Sequence, residues 1–400
     1  MNTHQFSLTE YYDQQQREQT AINFLAKLLA VKPEDIITAL EIIEHHCEET
    51  PAYLTFFIPK KSGGKREIKA PVGPVKDLTR KIYRELLLRY PLNYHIHGFR
   101  PARSTVTNAK EHLGNNHLVN YDITNCFPST PIDRIIEVYE WTVGKNLRQE
   151  GIPTEIVNTI IEILARLATL RYGRASTEVL PMGSPTSPAL LNLVLNSFDI
   201  RLSKLLRQKG MEFSYTRYGD DLSISSPNEI PKYVYGIVPS LLGSYGYDIN
   251  PDKTNFMHRG TSGKPMEVTG LIIGDNHLLL SDRWLKKAAT IIERIASMKD
   301  PKGKARTTFR GIIGLARMVY DGELPPRLVA ALNRVKQGYN KPQQLALLEE
   351  LFNFTHIPSD ESYSPSYQGI STLENIGGLE FDYLPDPTGI NDDFFLPEQV

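Results

Sequence analysis

The sequence predicts an α+β protein that carries an antiparallel sheet and is built from more than one lobe. Strand-like segments alternate irregularly with helical ones, without the regular βαβ succession of a parallel sheet. The 400 residues also exceed what one compact core usually holds. No apolar run approaches the roughly 20 residues of a membrane-spanning helix. These features argue against a membrane protein.

The N-terminal segment bears on the cellular compartment of the protein, and the cysteines bear on whether it has disulfides or a thiolate metal site. Residues Met1 to Thr20 are polar and lack the basic, apolar and small-residue succession of a signal peptide, so we expect a cytoplasmic protein. Cys47 and Cys126 are the only cysteines. Two isolated cysteines cannot form a disulfide framework or a thiolate metal site.

Charge is unevenly distributed along a chain whose net charge is only -1. Between Ser281 and Asn340 there are 13 Lys or Arg against 5 acids, whereas Thr355 to Val400 contains 9 acids and no Lys or Arg. The sequence therefore predicts a basic lobe followed by an acidic tail. We expect four parts: a helical segment 1–50, a central domain 51–280, a basic helical lobe 281–354 and a tail 355–400.

The first elements are helices and a basic hairpin. Residues 16–47 have helical periodicity with a start signal at Pro33, and two β-prone runs, 52–58 and 67–70, flank Gly63-Gly64. This pair marks a hairpin turn. Its cations could bind a triphosphate through charge-assisted contacts, although a solvated charged turn is the alternative. They are Lys60, Lys61, Lys65 and Arg66.

The remaining elements follow from periodicity and breakers. We expect helices over 75–89, around 108–112, over 132–168, over 189–206 and over 283–337. Strands are expected over 117–122 and within 213–224, and an extended tail follows Thr355.

Tyr218-Gly219-Asp220-Asp221 lies between two strand-like stretches, which places Gly219-Asp220 at a hairpin turn. Adjacent carboxylates at a turn repel each other unless a cation is present, and oxygen ligands of this kind suit Mg²⁺. Asp122 ends another apolar strand. Together the three carboxylates could hold two Mg²⁺ ions roughly 3.5 to 4 Å apart. An ordinary polar turn is the alternative.

Phe127 follows Asp122 by five residues. An aromatic ring beneath the sugar of an incoming nucleotide would clash with a ribose 2′-hydroxyl and favour deoxyribose. A plain core phenylalanine is the alternative.

Taken in order, these segments resemble the reverse transcriptases over roughly residues 50 to 280. The resemblance rests on the hairpin Ile58 to Ile68, the motif Tyr121 to Ser129, the loop Gly183 to Pro188, the box Tyr218 to Asp221 and the segment Gly246 to Thr254. It implies a right-hand polymerase with fingers, palm and helical thumb. It also implies catalytic Asp122, Asp220 and Asp221, metal ligands Asp122, Ile123, Asp220 and Asp221, and nucleotide-binding Lys60, Lys61, Lys65, Arg66, Phe127, Gly183 and Lys253.

Two shorter elements resemble the bacterial retron reverse transcriptases. They are Asn108-Ala109-Lys110-Glu111-His112 and Val268-Thr269-Gly270. The resemblance implies that Asn108, His112, Val268, Thr269 and Gly270 contribute to RNA binding. The basic lobe independently predicts phosphate contacts and salt-dependent binding, or else a solvated helical face. Its candidate residues are Arg283, Lys286, Lys287, Arg306 and Arg310.

The sequence departs from the family at two positions. Met182 stands where the loop usually carries Gln, which removes an amide expected near the nucleotide. Gly219 stands where retron enzymes more often have Ala, and this change leaves both carboxylates in place.

The retron resemblance implies a specific product and set of partners. The enzyme would copy part of its cognate structured noncoding RNA into multicopy single-stranded DNA, primed from a guanosine 2′-hydroxyl, and it would use dNTPs. The branched RNA-DNA product and an antiphage effector protein are the implied partners. The alternatives are a group II intron-type reverse transcriptase serving as a maturase, and a non-catalytic RNA-binding scaffold. The aromatic-rich acidic tail could dock the effector, mimic nucleic acid, or have no function.

Overall fold

A computed structural model of the chain describes residues 8–45, 51–59, 63–171, 177–260, 264–296 and 304–338. The acidic tail, Cys47, Lys60 and Lys61 lie outside the described residues. Within them, no helix is both long enough and apolar enough to cross a bilayer.

The N-terminal part is helical, as the sequence predicts. Helices α1 (Leu8–Leu29) and α2 (Pro33–Glu44) pack their apolar faces into the larger of two hydrophobic clusters. Pro33 occupies the first turn of α2, where its missing N–H costs nothing, and Asp35 accepts a hydrogen bond from the Lys32 backbone N–H at 3.0 Å. The Asp35 carboxylate thus caps the start of α2.

The predicted basic hairpin is present. Strands β1 (Tyr53–Pro59) and β2 (Lys65–Pro71) pair antiparallel, with Tyr53 opposite Pro71 and Pro59 opposite Lys65. Gly63 and Gly64 have φ angles of +88° and +78°, which residues with a Cβ rarely adopt.

Helices and two short strands surround the central sheet. They are α3 (Gly73–Glu85), α4 (Thr105–Lys110), α5 (Ile132–Tyr139), α6 (Lys145–Gln149), α7 (Thr154–Ala168), β4 (Leu170–Arg171), β5 (Glu178–Val179), α8 (Ser187–Val194), α9 (Asn196–Gln208) and α10 (Lys232–Ser244). Two of the long helices predicted for the central domain are divided. A π-turn separates α5 from α6, Gly151 (φ +84°) and Pro153 separate α6 from α7, and the predicted helix over 189–206 is interrupted at Leu195.

The central sheet contains four antiparallel strands, ordered β6-β7-β3-β8. The outer strands β6 (Ser214–Tyr218) and β8 (Asn255–His258) flank β7 (Asp221–Ser226) and β3 (His117–Asp122). The predicted α+β class with an antiparallel sheet is confirmed. Strand β8 has no counterpart among the predicted strands.

The C-terminal described part combines a small sheet with three helices. Strands β9 (Glu267–Val268), β10 (Leu271–Ile273) and β11 (Leu278–Leu280) form an antiparallel sheet, ordered β11-β10-β9. Helices α11 (Asp282–Ala296), α12 (Lys304–Val319) and α13 (Pro326–Gly338) follow. Their apolar faces share a second hydrophobic cluster with this sheet, and Val106 and Ala109 of α4 belong to the same cluster. Helix α4 therefore links the basic lobe to the central sheet.

Candidate active site

The pairing of β3 with β7 brings the predicted carboxylates to one end of the sheet. Asp122, the last residue of β3, lies directly opposite Asp221, the first residue of β7. The N–H of Ile123 donates to the Asp220 carbonyl at 3.0 Å, which attaches the end of β3 to the turn. Three carboxylates that are far apart in sequence thus belong to one edge of one sheet.

The turn that carries Asp220 depends on Gly219. Tyr218 pairs with Asp221 across the two-residue turn, and Gly219 has a φ of +68°, the pattern of a type II′ hairpin turn. A Cβ at position 219 would lie 2.9 Å from Cε2 of Phe99. A Cβ at Gly98 would lie 2.5 Å from the Gly219 nitrogen. The loop around Gly98 therefore packs directly on the turn.

Desolvation and mutual repulsion raise the pKa values of Asp220 and Asp221. Desolvation raises the pKa of Asp220, and the charge of Asp122 raises it further, while Arg66 and Lys253 oppose the shift. Desolvation also raises the pKa of Asp221 to about 7, and the charges of Asp220 and Asp122 contribute in the same direction. Carboxylates so arranged favour the binding of a cation.

Lys253 is the cation that contacts this group in the structure. Its Nζ donates to Oδ1 and Oδ2 of Asp122 at 2.8 and 3.0 Å. The backbone places it there: Asn250 N–H donates to the Asp122 carbonyl and Thr124 N–H donates to the Asp248 carbonyl, both at 2.8 Å. The segment Gly246 to Thr254 therefore runs antiparallel beside the end of β3.

The donor chemistry of the site fits Mg²⁺, which prefers oxygen ligands and retains several waters. Within the part of the chain that the structure describes, however, no three His, Cys, Asp or Glu side chains are gathered closely enough to hold an ion by themselves. Asp122 is engaged by Lys253 instead. Ile123 could act as a ligand only through its backbone carbonyl, since the bond that it makes to Asp220 uses its N–H.

The β1–β2 hairpin lies close to the carboxylates. Arg66 is near enough for its charge to lower the pKa of both Asp220 and Asp221. Lys65 Nζ lies 6.0 Å from the ring centroid of Phe57.

Gly183 holds the loop of residues 181–188 against the hairpin. The Lys69 N–H donates to the Met182 carbonyl at 2.8 Å. Gly183 has a φ of +128°, and a Cβ there would lie 2.8 Å from Cγ2 of Ile68 and 2.9 Å from the Lys69 carbonyl oxygen. Only glycine permits this approach, and Met182 contributes its backbone at this contact.

Phe127 is half-buried beside the turn and belongs to a group of three aromatic rings. Phe99 meets Phe127 edge-on with ring centroids 6.4 Å apart, and its centroid lies 6.3 Å from that of Tyr218. Phe99 is 44% exposed. This surface next to Asp220 could contact the sugar or base of a nucleotide.

His112 lies inside the protein. It is fully buried, and its Nδ1 and Nε2 hydrogen-bond Ser225 Oγ at 2.7 Å and Thr216 Oγ1 at 2.8 Å. Ser225 belongs to β7 and Thr216 to β6, so the imidazole connects the two strands of the hairpin that carries Asp220 and Asp221. In this conformation His112 has no nitrogen available for RNA, and its position indicates a bracing role.

The other predicted retron elements meet each other. Asn108 and Val268 are buried, and Asn108 Nδ2 lies 3.5 Å from Thr269 Oγ1, which in turn donates to the Thr105 carbonyl at 3.2 Å. Thr269 and Gly270 have φ angles of +47° and +85° and form a tight turn. Thr269 and Gly270 are at least partly accessible, whereas Asn108 and Val268 join α4 to β9 from within.

The predicted RNA-binding cations lie on α11 and α12. Arg283, Lys286, Lys287 and Arg310 are exposed, and Arg306 is half-buried. Lys286 pairs with Asp282 at 2.8 Å, so part of its charge is already compensated.

Sequence reasoning missed a buried cluster behind the turn. Arg217 and Asp199 are both fully buried and form an ion pair at 2.8 Å. Asp199 occupies the buried face of α9 together with Phe198, Leu202 and Leu206. A charge at an apolar position of an amphipathic helix was the available signal.

The chain is similar to known proteins over more than half of its length. Residues 58–277, more than half of the chain, match the family described as reverse transcriptase (RNA-dependent DNA polymerase). The retron Mx65 reverse transcriptase of Myxococcus xanthus is 29% identical over 301 residues, covering 72% of this chain and 68% of the relative. The retron Mx162 enzyme of the same organism is 30% identical over 62% of this chain and 52% of its own length. The retron Ec86 reverse transcriptase of Escherichia coli is 26% identical over 72% of this chain and 83% of its own length.

These matches confirm the expected resemblance to retron reverse transcriptases and, with it, the right-hand polymerase fold. The chain therefore belongs to the reverse transcriptase family and is an RNA-directed DNA polymerase.

Proposed function

We propose that the chain is the reverse transcriptase of a retron and copies part of a cognate structured noncoding RNA into multicopy single-stranded DNA. Synthesis begins at the 2′-hydroxyl of a guanosine in that RNA. One observation carries the proposal: Asp122, Asp220 and Asp221 lie at the same end of an antiparallel sheet in a chain whose relatives are retron enzymes.

The three carboxylates and the Ile123 carbonyl would hold two Mg²⁺ ions, which activate the attacking hydroxyl and stabilise the leaving pyrophosphate. Lys253 would turn from Asp122 toward the phosphates once cations neutralised that carboxylate. Its ammonium then stabilises the charge of the pyrophosphate or donates a proton to it. Its 48% exposed side chain has room for this movement.

The hairpin supplies the charge that binds the triphosphate. Arg66 already acts on the carboxylates electrostatically, and Lys60, Lys61 and Lys65 add positive charge from the same hairpin. Gly183 keeps the neighbouring loop close to this hairpin.

The remaining partners are assigned by charge and by family. The α11 and α12 cations bind phosphates of the noncoding RNA and its RNA-DNA product. An effector protein completes an antiphage system in the cytoplasm, and the acidic residues 355–400 are one candidate surface for it.

The carboxylate assignment is tested with Asp220→Asn combined with Asp221→Asn. Primer extension with Mg²⁺ and dNTPs should fall to background, whereas RNA binding measured by filter retention should persist. Asp77→Asn, an exposed change on α3, is the matched control and should extend normally. Undiminished synthesis by the double variant would refute the assignment.

The assignment of Phe127 is tested by sugar selectivity. Phe127→Ala should incorporate ribonucleotides at a rate closer to that of deoxyribonucleotides in a single-nucleotide assay, because the ring no longer occupies the space of the 2′-hydroxyl. Phe256→Ala, which removes an exposed ring from β8, should leave selectivity unchanged. Equal selectivity in all three proteins would assign Phe127 to packing.

The product distinguishes a retron from the alternatives. The chain purified from cells that express its neighbouring locus should carry a branched RNA-DNA species. Active enzyme without that species favours a group II intron-type reverse transcriptase or a generic one. Purified protein that binds RNA but does not extend a primer favours a non-catalytic scaffold.

A further inference from the structure

A buried ion pair lies directly behind the turn that carries Asp220. Arg217 Nε and Nη2 donate to the Asp199 carboxylate over 2.8 to 3.1 Å. Tyr215 Oη donates to the same carboxylate at 2.5 Å. Arg217, Asp199 and Tyr215 are almost completely buried.

The remaining guanidinium nitrogen reaches the turn. Arg217 Nη1 donates to the Gly219 carbonyl at 3.1 Å and to Asn192 Oδ1 at 3.0 Å. Asn192 Nδ2 donates to the Gly98 carbonyl at 2.9 Å. Arg217 and Asn192 thus hold two peptides, those of Gly219 and Gly98, whose backbones pack directly against each other.

The backbone of Arg217 reinforces this connection. Its N–H donates to the His95 carbonyl, and its own carbonyl accepts from the His97 N–H, both at 2.8 Å. The segment before Gly98 therefore runs beside β6 as a short parallel extension of the sheet.

The charge of Arg217 has its partner in Asp199 rather than in the carboxylates of the turn. The cations that lower the pKa of Asp220 and Asp221 are Arg66 and Lys253. The charge of Arg217 is instead compensated at short distance by Asp199. Replacing a buried ion pair by apolar residues often leaves stability unchanged or higher, so stability alone gives little reason for one here.

We propose that Arg217 and Asn192 are positioning residues that lock the Gly219 and Gly98 peptides together and thereby fix the direction in which Asp220 and Asp221 present their carboxylates. This inference rests on the proposed role of those carboxylates. Arg217, which precedes the Tyr218–Asp221 box, would then influence metal binding without contacting the metal.

The test compares variants that disturb different ends of the cluster. Arg217→Lys keeps the charge but loses the planar fork that reaches Asp199, Asn192 and Gly219 together. Asn192→Asp keeps the acceptor for Arg217 and loses the donor to Gly98. Ser203→Ala is the matched control, because Ser203 Oγ bonds His95 Nε2 and the Asp199 carbonyl and does not touch the turn.

We expect Arg217→Lys and Asn192→Asp to lower kcat by roughly tenfold to a hundredfold, the cost of misplacing a reacting group by about 1 Å. The Mg²⁺ concentration for half-maximal rate should rise, while KM for dNTP and RNA affinity stay near wild type. Ser203→Ala should lower the melting temperature and leave the Mg²⁺ response unchanged. All rates are compared per folded molecule, with folding checked by circular dichroism.

Each outcome decides the question. Wild-type kcat and Mg²⁺ response in folded Arg217→Lys would overturn the proposal, as would an equal Mg²⁺ shift in Ser203→Ala. If Arg217→Lys does not fold, Asn192→Asp decides by the same criteria. An active Asp220→Asn, Asp221→Asn double variant refutes the proposed site itself, whereas an inactive double variant beside a normal Arg217→Lys refutes only the positioning role.

Discussion

His112 is a neutral imidazole locked between two strands. Burial lowers its pKa to about 3, and the nearby His97 contributes in the same direction. Its two hydrogen bonds join Ser225 to Thr216, so protonation would force one ring nitrogen to give up its acceptor role. An RNA ligand cannot reach this side chain, and the role that its geometry supports is to keep β6 and β7 in register.

The stability of the fold should fall in acid because of this residue. The unfolded chain takes up a proton at His112 near pH 6.5, whereas the folded chain does so only near pH 3. The contribution of neutral His112 to the free energy of unfolding is therefore fully present above pH 6.5. It is lost as the pH falls toward 3, at up to about 1.4 kcal/mol per pH unit. His95 and His97, whose pKa values burial also lowers, add to the slope.

Urea unfolding between pH 4.5 and 7.5 measures this slope. The His112→Asn variant should have a lower free energy of unfolding at pH 7.5. The slope of its free energy of unfolding against pH should be smaller by the equivalent of close to one bound proton. Thr216→Val removes one partner of the imidazole but not the titrating group, so the full slope should remain. If the free energy of unfolding had the same slope against pH in wild type and in His112→Asn, His112 would not be a buried neutral imidazole.

At the scale of elements, one glycine sets the distance between the hairpin and the loop of residues 181–188. Gly183 combines a left-handed φ with contacts to Ile68 and Lys69 that leave no space for a Cβ. The hairpin carries the cations proposed to bind the triphosphate, so its distance from the loop should control nucleotide binding more than the chemical step.

Gly183→Ala should therefore raise KM for dNTP by roughly tenfold, the effect of about 1.4 kcal/mol, with a smaller change in kcat. Steady-state extension on a primed template measures both constants. Gly236→Ala is the control: it lies in α10, and its Cβ would meet nothing within 4 Å. If Gly183→Ala kept the wild-type KM, the hairpin would not depend on this contact.

Elements with strong local patterns were predictable from the sequence, and elements held by partners were not. The strand-like run 117–122 gave β3 with its observed bounds, and the Gly63-Gly64 turn gave the first hairpin with strand ends off by one or two residues. Strand β8 lacks a clear alternation of buried and exposed residues, and it is a strand because it pairs with β3. A helix predicted over 189–206 ignores the interruption at Leu195, which periodicity does not reveal.

At the scale of the whole molecule, the carboxylates were predictable because they are adjacent or end an apolar strand, whereas the cluster behind them was not. Asp199 and Arg217 are 18 residues apart on a helix and a strand, and only tertiary packing brings them together. The burial of Asn108 on α4 and of His112 in the turn after it was equally hidden, since polar residues in such positions usually face solvent.

The basic lobe gives a whole-molecule prediction about RNA affinity. Arg283 and Lys287 are exposed one turn apart on α11. Removing one cation that binds a phosphate should reduce the magnitude of the slope of log K for RNA binding against log salt concentration by about 0.7 to 0.9. Arg283→Gln combined with Lys287→Gln should thus weaken binding most at low salt, measured by fluorescence anisotropy with the cognate RNA. Arg334→Gln is the control, because Arg334 is engaged by Glu293 at 2.6 Å and should contribute little to the slope. If the double variant kept the wild-type slope of log K against log salt concentration, RNA would bind to another surface of the protein.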